Sequence, residues 1–222
     1  MYKSLSLLTG LMIIHFFTSA QVLQPGFDKQ EFIELLKIGA RTSTDSSYYN
    51  KLPTPAQSTL MYQSKNIGFD NLWQLWKMNN GVPVISVRGT TKTPLSFLAN
   101  VYAAMVPANG SLQLEKDFTF DYRLSDDPKA AVHVGFLIAA AYLSRDMIPK
   151  IDSCYKTGSR EFIITGHSQG GAITYTLTSY LEQLKNEGKL PKDIRFKTCA
   201  AASPKPGNLY YAYEFEKLTE GG

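Results

Sequence analysis

The apolar positions of the chain change period several times, and each change marks an element. Asp28, with Glu31 three residues on, reads as a helix cap, and Phe32, Leu35, Leu36 and Gly39 then recur at helical spacing to about Arg41. Residues 42–58 are polar and include Pro53 and Pro55, a surface loop. Residues 72–78 and 82–88 are strands around Asn79-Asn80-Gly81, a hairpin signal. Pro94 opens a helix to about residue 106, and residues 112–122 are extended. A long helix follows over residues 130–154, with Val134, Leu137, Ala141, Ile148 and Ile151 on or near one face. Residues 161–165 form a short apolar strand. Residues 169–187 form a helix stopped by Gly188 and Pro191, and residues 194–201 form another apolar strand. Helices interleaved with short buried strands predict an α/β layered fold. The pattern shows no internal repeat, low-complexity tract or linker to a second domain.

The first twenty residues stand apart. Lys3 precedes an almost uncharged apolar run over residues 5–17, and Thr18-Ser19-Ala20 ends it in small residues. That is the layout of a signal peptide cleaved near Ala20. It predicts a secreted or periplasmic protein whose residues 21–222 form one domain. The run is short for a membrane span, so no stable anchor is expected; an uncleaved N-terminal anchor is the alternative. Export permits a Cys154–Cys199 disulfide. The apolar, strand-like setting of Cys199 argues instead for two buried free thiols.

Composition narrows the classes further. Of 222 residues, 44% are hydrophobic and 19% charged, which excludes a disordered or collagen-like chain. The net charge of +4 is dispersed and gives no footprint for nucleic acid. Two cysteines and three histidines form no zinc-type cluster, so neither metal nor cofactor is expected.

The chemistry concentrates in Gly166-His167-Ser168-Gln169-Gly170, with Gly171 following. This is the Gly-x-Ser-x-Gly pattern of a nucleophile elbow. The chain must pass from strand to helix within a few residues and hold the serine in a strained conformation. Flanking glycines let strand and helix approach, and the Gln169 N–H points where an oxyanion would form. The alternative is a glycine-rich turn with an idle serine. An acyl-transfer site also needs a second donor. The strand ending in Arg88-Gly89-Thr90 offers one in the Thr90 N–H, helped by its hydroxyl.

These segments resemble the class 3 lipase family, the fungal-lipase-like branch of α/β-hydrolases. Four segments carry the likeness in order: Arg88-Gly89-Thr90, His133-Val134-Gly135-Phe136, Gly166 to Gly171, and Ser203-Pro204-Lys205-Pro206-Gly207-Asn208. Ala202 stands where the last pattern has glycine, a small departure. The resemblance covers roughly residues 70–217. It implies a three-layer α/β-hydrolase-like sandwich with a mostly parallel central sheet. It implies Ser168 as nucleophile, with Thr90 and Gln169 as the oxyanion hole. It further implies a carboxylic-ester hydrolase, a lipase or esterase, whose substrate is a lipid or small ester. Residues 94–106, apolar and uncharged, fall where the family carries a lid and are a candidate lipid-interface contact; buried core is the other reading.

The catalytic triad is not complete in this sequence. In this fold the acid and then the histidine follow the serine. No histidine follows Ser168: His15 lies in the leader, His167 precedes the nucleophile within the elbow, and His133 opens a helix. Asp193 is the only later aspartate, and it enters its strand at the end opposite the site. The expectation is a domain lacking its C-terminal strands, together with the triad acid and histidine. A non-catalytic secreted α/β protein that binds lipid or a partner is the alternative. A different serine acyl-transfer enzyme, such as a thioesterase or peptidase, is a third reading.

Overall fold

The structure is a computed structural model describing residues 23–43 and 45–220, so the leader expected over residues 1–20 lies outside the described residues. The elements in chain order are α1 (Lys29–Ala40), α2 (Ser46–Tyr49), β1 (Ser58–Gln63), β2 (Trp73–Met78), β3 (Pro83–Val87) and α3 (Pro94–Val101). Next come β4 (Met105–Pro107), β5 (Asn109–Glu115), β6 (Phe118–Arg123), β7 (Ala131–His133) and α4 (Val134–Lys156). The last are β8 (Glu161–His167), α5 (Gln169–Asn186), β9 (Arg195–Ala201) and α6 (Leu209–Thr219).

One five-stranded sheet, in the order β1-β2-β3-β8-β9, carries the site. The β1/β2 and β2/β3 pairs are antiparallel, and β3/β8 and β8/β9 are parallel. Only β2 therefore runs against the other four, which makes the sheet mostly parallel in direction. Period-two alternation assigns its faces. Val84 and Ile163 turn toward α1, where they pack with Leu35 and Ile38. Ile85, Val87, Phe162 and Ile164 turn the other way, onto Phe136, Leu143, Ile173 and Leu177 of α4 and α5. These are the three layers expected. The β5–β6 hairpin closes a second apolar cluster, in which Phe120 and Tyr122 meet Leu137, Ala141 and the fully buried Tyr211 of α6. Among the described residues no helix is long and apolar enough to cross a membrane.

Several sequence expectations need correction. The helix expected over residues 94–106 ends at Val101, because Tyr102 leaves helical geometry (φ −77°, ψ 69°) and Met105–Pro107 pair with β7. The long helix expected from residue 130 begins at Val134, since Ala131–His133 belong to that ladder. The extended stretch over residues 112–122 is the β5–β6 hairpin, folded at Lys116-Asp117. The loop over residues 42–58 contains the short α2. Strand β1 and helix α6 were not foreseen. Cys154 and Cys199 are free, as the sequence favoured, but only partly buried. Burial still raises both thiols, Cys199 to about 11.

Candidate active site

Ser168 closes β8 and caps α5 at φ 55° and ψ −128°. Such a conformation costs an L residue about 1–3 kcal/mol and persists only where the surroundings impose it. Here they do. The Ser168 N–H donates to the Ala201 carbonyl of β9 at 2.9 Å, and its own carbonyl accepts from Ala172 at 3.2 Å. The glycines of the motif allow the crowding. A Cβ on Gly166 would strike the Gly170 backbone, and one on Gly170 would strike the Val87 and Arg88 carbonyls. The elbow is thus wedged between β3 and β9, at the carboxyl ends of the parallel strands.

The turn after β3 lies directly on the elbow. A Cβ at Gly89 would sit 2.7 Å from the His167 carbonyl oxygen and 3.7 Å from Ser168 Cβ. The N–H groups of this turn can be followed one by one. Arg88 donates to the Leu72 carbonyl at 2.9 Å, and Thr91 donates to Ser96 Oγ at 3.0 Å. Between them the Gly89 and Thr90 N–H groups donate to no group among the described residues. The same holds for the Gln169 N–H in the first turn of α5. The two residues expected to bind an oxyanion therefore keep open backbone donors, one in the turn packed on the elbow and one directly after Ser168. Asn100 Nδ2 also donates to Thr90 Oγ1 at 2.7 Å, which leaves the hydroxyl hydrogen of Thr90 free to point elsewhere.

A buried ion pair anchors this turn. The Arg88 guanidinium donates to the Asp70 carbonyl at 2.5 Å and to its carboxylate at 3.1 Å. Thr91 and Thr93 donate their hydroxyls to the same carboxylate, at 2.5 and 3.1 Å. Burial opposes the Asp70 charge, but these hydrogen bonds and the guanidinium outweigh it and hold the carboxyl below its usual range. Asp70 was not anticipated from sequence. A hairpin separates it from Arg88, and no local pattern marks the pair.

The histidines lie elsewhere. His133 is 4% exposed, stacks on Phe136 with ring centroids 4.0 Å apart, and caps α4 by accepting the Gly135 N–H at Nδ1. Its Nε2–H turns toward the Asn100 backbone without a full hydrogen bond. Burial lowers its pKa and so favours the neutral ring. Gly135 is needed because a side chain there would collide with the Ala99 carbonyl of α3. The His-x-Gly-Phe stretch thus seats α3 on α4. His167 is exposed at the cleft rim, and no hydrogen bond joins it to Ser168 among the described residues. Asp193 accepts from Tyr155 Oη and Arg160 Nε, both at 2.9 Å, at the far end of β9. No group of three His, Cys, Asp or Glu side chains suited to a metal occurs among the described residues.

Ser168, Thr90 and His167 open into a cleft of about 1310 Å³ flanked by Ile33 and Leu36 of α1. The Thr93 cap of α3 lines the same cleft, and the helix has its amphipathicity inverted. Ser96 and Ala99 face inward, while Leu95, Phe97, Leu98 and Val101 are each more than half exposed. That excludes the core reading for these side chains. The inward spacing of Ser96, Ala99 and Asn100 was a signal available in the sequence, a polar and small stripe on an otherwise apolar helix.

The Ser203–Asn208 segment after β9 is structural. Asn208 Oδ1 accepts from Ala131 and Tyr211 at 3.1 Å, and its Nδ2 donates to the Lys129 carbonyl at 2.7 Å. It caps α6 and ties it to β7. Ala202 has φ 47°, the left-handed region that favours glycine. The alanine at this position is therefore not neutral.

The layering, strand order and elbow are those of the α/β-hydrolase fold. A fungal lipase solved as an inhibitor complex, described as a model for interfacial activation, superposes with a TM-score of 0.63 at 15% identity, over 86% of this chain and 67% of that one. Lipase II from Rhizopus niveus gives 0.61 at 21% identity, over 85% and 67%. A triacylglycerol lipase whose catalytic centre is described as a serine protease triad gives 0.56 at 14% identity, over 86% and 67%. The chain spans 67% of the length of each of these three lipases. No curated protein matches it. The lipase (class 3) family matches residues 84–221, and the chain belongs to that family.

Proposed function

We propose that this protein is a secreted carboxylic-ester hydrolase acting on lipid or small esters, with Ser168 as nucleophile. Ser168 Oγ would attack the ester carbonyl, and the tetrahedral oxyanion would accept from the Thr90 and Gln169 N–H groups and the Thr90 hydroxyl. The proton leaving Ser168 passes to a base and then to the departing alkoxide. Water next cleaves the acyl-serine ester and restores the hydroxyl. The observation that carries this reading is the strained Ser168 at the elbow, with the Thr90 and Gln169 backbone donors left open. The triad described for a structural neighbour supports it. The exposed apolar face of α3, Pro94–Val101, is the proposed lipid contact, shorter than the sequence expectation of residues 94–106.

One observation favours non-catalytic lipid binding instead: among the described residues no base is hydrogen bonded to Ser168. Labelling decides between the two. The chain is treated with a fluorophosphonate, with imidazole supplied as external base, and the adduct is mapped by mass spectrometry. Modification of Ser168 that vanishes in Ser168→Ala supports the hydrolase. Equal labelling of the alanine variant, or none at Ser168, supports the binding reading.

A further inference from the structure

Ser96 is the N3 residue of α3, where a capping box would place a Glu or Gln that reaches back to the cap N–H. Ser96 does not reach back. Its Oγ accepts the Thr91 N–H at 3.0 Å and stands 3.1 Å from Gln169 Oε1, to which it donates. Gln169 Nε2 returns a hydrogen bond to the Ser96 carbonyl at 3.4 Å. Both residues are 1% exposed. The Gln169 amide has no other partner among the described residues, and a buried amide left unpaired is costly.

The chain of bonds has a direction. It runs from the turn that carries Thr90, through the Ser96 hydroxyl, to the side chain of Gln169. Those are the two residues whose N–H groups face the oxyanion in the proposed function. Thr90 lies between the Arg88 N–H, fixed to β2's flank at Leu72, and the Thr91 N–H, fixed by Ser96. Thr90 is therefore bracketed by two N–H groups held in hydrogen bonds. Gln169 is fixed through its side chain, which leaves its backbone N–H free.

We propose that Ser96 is a positioning residue that holds the two halves of the oxyanion hole in register. The inference rests on the hydrolase reading above and deepens it. It also divides α3 into two parts. The first turn, pinned at Ser96, belongs to the site. The residues that follow carry most of the exposed apolar surface.

Two measurements on the full chain test this. The first is amide hydrogen exchange at Thr91. Ser96→Ala should speed it about tenfold or more, while Val84–Val87 in the same strand and turn region keep their protection. The second is fluorophosphonate inactivation of Ser168 with imidazole as base, resolved into a limiting rate and a half-saturation concentration. In Ser96→Ala the limiting rate should fall roughly tenfold with half-saturation within about twofold, since sub-ångström misplacement acts on the reaction step. Ser96→Thr, which keeps the hydroxyl, should restore the rate. Unchanged Thr91 exchange overturns the proposal. So does a lowered melting temperature with an unchanged limiting rate, the mark of a purely structural contact. If wild-type Ser168 does not react at all, the hydrolase reading falls and takes this role with it. A reactive wild type with an equally reactive Ser96→Ala overturns the positioning role alone.

Discussion

Arg88 and Asp70, eighteen positions apart, form a buried ion pair in which one guanidinium nitrogen reaches both the backbone carbonyl and the carboxylate of the aspartate. The Arg88 side chain is 4% exposed, so its charge depends on that partner. The pair joins the segment before β2 to the end of β3, and Thr91 and Thr93 extend it to the cap of α3.

Removing the carboxylate should therefore cost more than one surface contact. Asp70→Ala leaves a buried cation unpaired and should destabilise by about 3 kcal/mol. Asp70→Asn, which keeps the acceptor oxygen and the backbone carbonyl, should cost less. Because the folded-state pKa of Asp70 is depressed, its contribution is present above the unfolded pKa near 3.8 and is lost as pH falls through the folded value. Urea melts from pH 6 down to pH 3 should show a steeper acid loss in wild type than in Asp70→Asn. Parallel curves would count against the ion pair as an anchor.

Ala202 offers the opposite sign. With φ at 47°, it carries strain that glycine avoids. Ala202→Gly should stabilise by about 1 kcal/mol, or roughly 2–4 °C in melting temperature for a domain of this size. A lower melting temperature would mean that the methyl packs usefully enough to offset the strain.

The exposed face of α3 makes a prediction about interfaces. Phe97 is 61% exposed and Leu98 54%, so a charge there removes little core packing. Phe97→Asp should melt within a few degrees of wild type and bind phosphatidylcholine vesicles roughly 30-fold more weakly, since about 2 kcal/mol of apolar contact is lost at the interface. Collapse of the fold would instead place Phe97 in the core. Unchanged vesicle binding would remove α3 as the contact.

His133 supplies a pH dependence of its own. Its pKa is lowered by burial, so the folded protein prefers the neutral ring. Stability from this group is complete above the unfolded value near 6.5 and is lost as pH falls through the folded pKa. His133→Asn can still accept the Gly135 N–H and cap α4. It should flatten the stability profile below about pH 6.5. A histidine acting as general base would instead abolish Ser168 reactivity when replaced, and that is not expected here.

The α/β order, the β2–β3 hairpin, the elbow and the helix behind it were all legible in the sequence. Each rests on local physics: an apolar period, a cap, or glycines where two backbones must touch. The capped start of α1 at Asp28 is observed, with its carboxylate accepting the Glu31 N–H at 2.7 Å. Strand β1 escaped because it is an edge strand with a bulge and mostly exposed side chains, so it shows no clean alternation. Helix α6 escaped because only Tyr211 of its aromatic residues is buried, although Asn208 before it was a usable cap signal.

Sequence alone determined which residue types the chemistry needs and placed Ser168, Gln169 and Thr90 at a strand-to-helix elbow and a strand end. Tertiary structure decided what holds them there. Ser96 meets Gln169 across 73 positions, and Asp70 meets Arg88 across a hairpin. Such pairings follow from the order of strands in the sheet, and no short-range period records them. The same holds for α3, whose apolar residues read equally well as core until the fold turned its small and polar residues inward. Periodicity reports that a helix has faces, but which face meets protein is set by the neighbour that the chain brings alongside.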